Sequence, residues 1–448
     1  MKKKTATFLG GIHPPDKKSL SAEKNIQTLL PKEELIFPLS QHIGAPAIPI
    51  VAIGDSVKIG TKIAEANGFV SVPIHASVSG NIKAIQPHRL MNGTLQECII
   101  IANDQRYESE NYVYQDASEL SNETILGRIK EAGVVGMGGA GFPTHVKLSI
   151  KEPDKIHHIL INGAECEPYL TSDYRLMLEQ AKTLIKGIKI VLQLFKKSEA
   201  YLCIEDNKPN GIQTLRKLCE NEPRIHVQPL KTKYPQGGER FLIKAVIGKE
   251  INATTLPADI GCIVDNIATM IAIYDAVCFQ KPLTHRVVTV SGEAIHEACN
   301  YYVPCGIRAK ELITASGGFD CEVEKLISGG PMMGTAMFDD DVPITKTNGG
   351  IIALAKDEIA LQEEMNCINC GRCVSVCPEK LIPSRLSFFA RKENQESFQK
   401  WYGMECVECG CCSYICPSHR SLTQNIRYMR QKILKERKKD SAKGGKTA

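Results

Sequence analysis

Residues 367–378 read Cys367-Ile-Asn-Cys370-Gly-Arg-Cys373-Val-Ser-Val-Cys377-Pro378. Residues 406–417 repeat the pattern as Cys406-Val-Glu-Cys409-Gly-Cys411-Cys412-Ser-Tyr-Ile-Cys416-Pro417. Both runs obey C-x2-C-x2-C-x3-C-P, the spacing of two-cluster bacterial ferredoxins. Three thiolates on a tight loop hold three corners of a cubane, and the fourth cysteine reaches the other cluster. The spacing therefore predicts two [4Fe–4S] clusters, one on Cys367, Cys370, Cys373 and Cys416, the other on Cys406, Cys409, Cys412 and Cys377. Cys411 is off-register and is not expected to ligate. Paired zinc sites are the competing reading, but zinc takes one tetrahedral set of four and usually presents two well-separated C-x2-C pairs. Two clusters on one chain form a wire, so electron transfer is the expected business of the protein.

Outward from these runs, 448 residues exceed one hydrophobic core, and several domains are expected. The 18 cysteines read as ligands or thiols of a reducing compartment, with Cys98, Cys203, Cys219 and Cys278 as small buried hydrophobes. The basic Met1–Lys4 is not followed by an apolar export segment. Ile260 to Phe279 has almost the length of a membrane span, but Asp265, Asn266 and Asp275 interrupt it, and a buried or amphipathic helix is expected instead. The formal charge of +5 is a property of the tail, where nine Lys or Arg stand against two acids from Arg427 onward. The slightly acidic remainder gives no footprint for nucleic acid. That tail reads either as a solvated terminus or as a basic helix docking on protein or anionic lipid.

Upstream, residues 133–147 read Gly133-Val-Val-Gly136-Met-Gly138-Gly139-Ala-Gly141-Phe142-Pro143-Thr144-His-Val-Lys147. Such a loop lets backbone N–H groups approach a phosphate or a flat ring. It lacks the spacing of a dinucleotide finger, and ligand-free turn glycines explain it equally well when it is read alone. An apolar run from His158 then stops at Asn162-Gly-Ala164-Glu165-Cys166-Glu167-Pro168, placing Asn162, Glu165 and Glu167 at a strand's C-terminal end, where open α/β sheets bind ligands. Asp173 to Val191 has helical periodicity. Tyr234-Pro-Gln-Gly-Gly238-Glu239-Arg240 opens a further helical run, Phe241 to Gly248.

The glycine loop resembles the flavin-binding signature of the NADH-binding flavoprotein subunit of respiratory complex I. The likeness extends in order through Asn162, Glu165, Glu167 and Pro168, then Tyr234, Gly238 and Glu239, then Val264-Asp265-Asn266. It implies non-covalent FMN and NADH as substrate. Gly136, Gly138, Gly139 and Gly141 would pack against flavin and nucleotide, Lys147 would meet a phosphate, and Asn162 and Glu165 would hold flavin groups. Glu167 and Glu239 would meet the nicotinamide nucleotide, with Tyr234, Gly238, Asp265 and Asn266 completing the site. The chain departs from that family at Ala164, where an acid is usual, at Gly238, which replaces a glutamate, and at Asp265, which replaces an asparagine.

Residues 40–86 alternate short β segments with glycine turns and resemble the barrel-sandwich hybrid of lipoyl and biotinyl carriers. The tip Ala66-Asn67-Gly68-Phe69 carries no lysine, so a structural module without a swinging arm is expected. With Gly10-Gly-Ile-His13-Pro14-Pro15 and Ser40-Gln-His-Ile-Gly-Ala-Pro46, the whole chain is similar to RnfC, the cytoplasmic subunit family of Rnf ion-translocating oxidoreductases. The expected class is multidomain α/β and α+β: a barrel-sandwich module (1–120), a Rossmann-like FMN/NADH domain (121–280), a small β-grasp domain (281–355), a two-cluster ferredoxin-like segment (356–426) and a basic tail (427–448). The resemblance implies an NADH-oxidising subunit of a membrane-bound ferredoxin:NAD oxidoreductase, peripheral on the cytoplasmic face. Its partners would be the membrane and iron–sulfur subunits, and ferredoxin indirectly. A cobalamin-reductase-like enzyme with a soluble partner, or a relay subunit without its own nucleotide site, are the alternatives.

Overall fold

The computed structural model describes residues 5–357 and 361–444. Met1–Lys4 and the last four residues of the basic tail, to which the readings above refer, lie outside the described residues. The chain divides into two compact units, both discontinuous in sequence: 1–5, 16–230 and 257–356 form the first, and 6–15, 231–256 and 357–448 form the second.

Three sheet systems make up the first unit. Antiparallel strands Leu35–Pro38, Leu95–Asn103, Gly80–Arg89 and Ser56–Val57 form one sheet, and Ile48–Pro49, Lys62–Glu65 and Ile74–His75 form a second. Leu35, Phe37, Ile63, Val78, Ile99 and Ile101 fill the core of this barrel-sandwich module. The next sheet is wholly parallel, in the order Ile225–Leu230, Glu199–Glu205, His158–Gly163, Cys262–Asn266. Its strands are nearly continuous apolar runs because helices, among them Ala181–Leu194 and Ile267–Phe279, bury them. The third system is a single mixed sheet of six strands between residues 27 and 354, which packs the helix Ala309–Ala315 into its own core.

The Ile260 to Phe279 stretch differs from its expected single helix. Gly261 turns the chain at φ +77°, Cys262–Asn266 pairs in parallel with His158–Asn162, and only Ile267–Phe279 is helical. Asn266 sets that boundary, its side chain accepting from the Ala268 N–H as a helix cap. Likewise Asp173 to Val191 is two helices, Ser172–Glu179 and Ala181–Leu194, parted at Gln180. Among the described residues no helix is long and apolar enough to cross a membrane.

In the second unit the two cysteine runs are structural repeats. Asn369 and Glu408, Gly371 and Gly410, and Lys380 and His419 adopt matching left-handed conformations, and the short helices Arg372–Ser375 and Cys411–Tyr414 correspond. Each run then leads into a longer helix, Pro383–Arg391 and Leu422–Gly444. The second of these begins before the expected tail. Ile426, Met429 and Ile433, at helical spacing, bury against Leu386, Ala390 and Phe398.

Candidate functional site

In the parallel sheet, successive strands run outward on one side from His158–Gly163 and return on its other side as Cys262–Asn266. The gap between those two strands is the topological switch point, where open α/β sheets take ligands beyond the strands' carboxyl ends. Asn162 and Asn266 lie in register there. The Asn266 Nδ2 donates to the Asp173 carboxylate at 2.7 Å and to the Asn162 carbonyl at 3.4 Å.

The glycine loop stands over this edge. Gly136 N–H bonds to the Phe142 carbonyl at 2.8 Å and Thr144 N–H to the Val134 carbonyl at 3.1 Å, so the loop closes on itself. Met137 N–H donates to the Thr269 hydroxyl at 3.0 Å, fixing the loop to the start of Ile267–Phe279. Gly138 has φ +81°, and a Cβ there would lie 2.8 Å from the Asn266 amide nitrogen, so glycine is required twice over. A Cβ on Gly139 would meet nothing within 4 Å, which leaves open space above the loop. Lys147 Nζ donates to the Val264 carbonyl at 2.9 Å and lies 3.9 Å from the buried Asp265 carboxylate. Asp265 Oδ2 and the Thr144 hydroxyl are buried and have no hydrogen-bond partner in the protein. An unmatched carboxylate oxygen and an unmatched hydroxyl near the loop suit a ligand rich in O–H and N–H groups, and a ribityl flavin is one.

The Asn162–Tyr169 segment is held by buried cations. Lys18 Nζ donates to the carbonyls of Glu167 (2.8 Å) and Leu170 (2.6 Å), and Lys208 Nζ to that of Ala164 (2.7 Å). Lys208 also lies 3.5 Å from the Glu205 carboxylate, both side chains being 2% exposed. Glu165, at φ +47°, receives the N–H groups of Asp173 (2.7 Å) and Tyr174 (3.3 Å) at the start of the next helix. Burial pushes the Glu165 carboxyl up to about 7 against the pull of Lys18, and burial lowers the Lys18 ammonium in turn. Glu167 is likewise raised by burial to about 7, although its oxygens accept from Met332 and Met333 N–H.

In the second unit, one cleft is lined by Cys367, Cys370, Cys373 and Cys416, with Ser384 and Arg420 at its wall. Another is lined by Cys377, Cys406, Cys409 and Cys412, with Cys411 beside them and Leu381, Leu386 and Ile426 behind. Each set of four thus lines one cleft. Cys367 and Cys370 are exposed, whereas Cys409 and Cys412 are buried. Burial holds the thiols of Cys377, Cys406 and Cys412 at about 12, so metal would have to displace their protons on binding. Four donors of the right softness around each cleft fit a cubane cluster. Cys411 Sγ is 3.9 Å from the Tyr234 carbonyl, and Tyr234 Oη donates to the Cys409 carbonyl at 2.7 Å. Arg240 ion-pairs with Glu379 and Glu405, which flank the second set.

A family model for the RnfC barrel-sandwich hybrid domain matches residues 6–106, one for the Nuo51 FMN-binding domain matches 129–275, and one for the 4Fe–4S dicluster domain matches 366–419. The RnfC subunit of the proton-translocating ferredoxin:NAD+ oxidoreductase complex of Clostridium ljungdahlii is 43% identical, over 98% of this chain and 96% of its own. The chain belongs to the RnfC family. A second RnfC relative, from the Na+-translocating ferredoxin:NAD+ oxidoreductase complex of Acetobacterium woodii, is 40% identical over 98% of this chain and 100% of its own. An NAD+-reducing [NiFe]-hydrogenase chain is similar in fold, with a TM-score of 0.51 at 17% identity, over 70% of this chain and 62% of that one. This RnfC chain therefore carries an FMN-binding domain and a 4Fe–4S dicluster domain.

Of the residues expected at the flavin site, the first unit of this RnfC chain contains the four glycines, Lys147, Asn162, Glu165, Glu167, Asp265 and Asn266. Contacts join Gly138 and Asn162 to Asn266 and Lys147 to Asp265, whereas Gly141 lies against Gln41 and Thr347 and Glu167 against Met332 and Met333. Tyr234, Gly238 and Glu239 belong to the second unit. Sequence reasoning missed Lys18, Asp173, Glu205 and Lys208. Glu205 ends a parallel strand and Lys208 follows it, so the strand-end rule could have found them; nothing in the sequence around Lys18 marks it.

Proposed function

We propose that this chain oxidises NADH and distributes the electrons singly, as the peripheral, cytoplasmic-face subunit of a membrane-bound, ion-translocating ferredoxin:NAD+ oxidoreductase. The observation that carries the proposal is that one chain holds two four-cysteine clefts and a donor-hungry cradle at the switch point of a parallel sheet. The names of the Clostridium ljungdahlii and Acetobacterium woodii relatives support the same reading. FMN, when bound, takes two electrons from a nicotinamide and passes them on one at a time, which bridges a two-electron donor to one-electron clusters.

The chain's own residues divide the remaining work. Gly136, Gly138, Gly139 and Gly141 give close approach to the flavin, Asn162, Glu165, Asp265 and Asn266 accept from or donate to its polar edges, and Lys147 supplies a cation. Glu167 serves the nicotinamide nucleotide; Glu239 and Gly238, at the start of the helix Glu239–Ile247, are separate candidates for it in the second unit, where Tyr234 is instead buried with its hydroxyl on the Cys409 carbonyl. Cys367, Cys370, Cys373 and Cys416 hold one cluster and Cys377, Cys406, Cys409 and Cys412 the other, with Cys411 a bystander. The modules read from the sequence (1–120, 121–280, 281–355, 356–426 and 427–448) remain the functional division, to which residues 6–15 and 231–256 add as parts of the cluster unit.

Anaerobic titration of the cofactor-loaded protein with NADH, followed in the visible spectrum, tests this. Bleaching of flavin and cluster bands together is the expected result. Reduction by dithionite but not by NADH would overturn it in favour of a relay subunit.

A further inference from the structure

The mixed sheet contributes a hairpin, Lys325–Ser328 and Thr335–Ala336, whose connection is Gly329-Gly330-Pro331-Met332-Met333-Gly334. The tip folds back on itself through Gly334 N–H to the Gly330 carbonyl at 2.9 Å, and Gly329 turns at φ +93°. Its base is fastened by Gly329 N–H to the Gly350 carbonyl (2.8 Å) and by the Asn348 amide to the Ser328 hydroxyl (2.7 Å). This braced tip presents two consecutive N–H groups to one carboxylate: Met332 donates to one oxygen of Glu167 at 3.0 Å, and Met333 to the other at 2.8 Å. Lys18 meanwhile holds the carbonyl of the same residue. Glu167 is therefore fixed at both its backbone and its carboxylate.

Gly330 is what permits the approach. A Cβ there would stand 2.3 Å from Glu167 Oε2 and 2.6 Å from its Cβ. Its φ lies outside the left-handed region, so alanine would strain the approach to Glu167 and not the backbone of the tip itself. A carboxylate offers about four lone-pair sites, and the tip uses two, one on each oxygen. The remaining pair still points to acceptor duty, with the carboxylate plane already set.

We propose that the Gly329–Gly334 tip is a positioning device that pre-sets the Glu167 carboxylate as an acceptor for the donor groups of a nicotinamide nucleotide, its ribose hydroxyls or carboxamide N–H. The proposal rests on Glu167 serving the nucleotide, and it assigns the work to backbone N–H groups of a different sheet. The side chains of Met332 and Met333 are dispensable for it.

The test compares G330A, E167Q and the double variant in the protein loaded with FMN and clusters, measuring NADH affinity alongside flavin content and cluster EPR. Losing two charge-assisted hydrogen bonds weakens NADH binding in G330A by about tenfold, with flavin content and EPR unchanged. The double variant binds no more weakly than E167Q, because G330A acts only through Glu167. The pH profile of NADH affinity in G330A also moves upward, since the N–H donors that favour the ionised carboxylate are gone, leaving Lys18 as the charged group that still favours it. Weak binding in E167Q with wild-type affinity in G330A overturns the positioning role and spares the reading of Glu167. Wild-type affinity in E167Q overturns that reading and the positioning role with it. Additive losses in the double variant overturn the proposal as well.

Discussion

Replacing Lys208 by methionine keeps the volume of the side chain and removes only its ammonium, so it isolates what the buried charge contributes to the segment bearing Glu165 and Glu167. Three contacts go: the Ala164 carbonyl at 2.7 Å, the Asn207 side-chain oxygen at 3.0 Å and the Glu205 carboxylate at 3.5 Å. Both charged side chains are 2% exposed, so water cannot take the ammonium's place. Breaking one side of a buried pair costs about 3–5 kcal/mol, because Glu205 keeps its desolvation penalty and loses the cation 3.5 Å away, with Lys18 still acting on it. The two-unit chain need not unfold in one step, so the readout should be local: flavin release followed by fluorescence during urea denaturation. K208M is expected to release flavin at distinctly lower urea than the wild type. E205Q/K208M, which removes the surviving charge, should recover most of the loss. A K208M effect below about 1 kcal/mol, or a double variant as unstable as the single, would refute the claim that this pair holds the loop.

Crossed ligation gives a second expectation. C416S should cost about half of the iron, adding C373S should cost nothing further, and adding C412S should empty both clefts; iron analysis with EPR decides it. The raised carboxyls of Glu165 and Glu167 give a third. A folded-state pKa near 7 against an ordinary value of 4.5 means that the folded state binds the proton more tightly. The stabilisation is then complete below the ordinary value and is lost as pH rises through about 7. Denaturation midpoints of the flavin-free protein should therefore decline across that window, and E165Q and E167Q should each flatten the decline.

The cysteine spacing sorts the eight cysteines into the same two sets of four that line separate clefts, because a short-range repeat is a local signal. The strand-end rule likewise located Asn162, Glu165 and Glu167, since an apolar run that stops at a polar cluster is a local signal. What long-range contacts decide was hidden. Lys18 and Lys208 look like ordinary surface lysines until the fold buries them against carbonyls far away in sequence. The Met332–Met333 tip gives no sign that it meets Glu167, as the contact joins two different sheets. The split of Ile260 to Phe279 was missed because an apolar run does not report its own period; Gly261 and the capping Asn266 were the available signs. The tail was read by its charge, while the spacing of Ile426, Met429 and Ile433 already described a packing face.

The division of the chain makes a final, stricter expectation. A fragment cut at 357, the start of the last segment of the second unit and one residue inside the ferredoxin-like segment expected from the sequence (356–426), lacks two segments on which that unit is built. Residues 6–15 contribute Gly11 N–H to the Val376 carbonyl at 2.8 Å, next to Cys377, and a bridge from Ile12 to Tyr234. Residues 231–256 contribute the fully buried Tyr234, whose hydroxyl ends on the Cys409 carbonyl, and Arg240, the cation between Glu379 and Glu405. Without them, Glu379, already raised by burial, loses its nearest compensating charge, and the Cys409 loop loses a buried hydrogen bond. Removing one partner of such contacts costs about 1–3 kcal/mol each, and among the described residues the fragment's own apolar cluster is small, built on Leu381, Leu386, Ala390, Phe398, Ile426, Met429 and Ile433. Fragment 357–448 should consequently reconstitute the Cys367 cluster better than the Cys377 cluster, whose loops carry all of these contacts. Equal iron in both sites by EPR would refute that order, and would mean that the cysteine loops, and not the segments borrowed from the rest of the chain, determine the cluster fold.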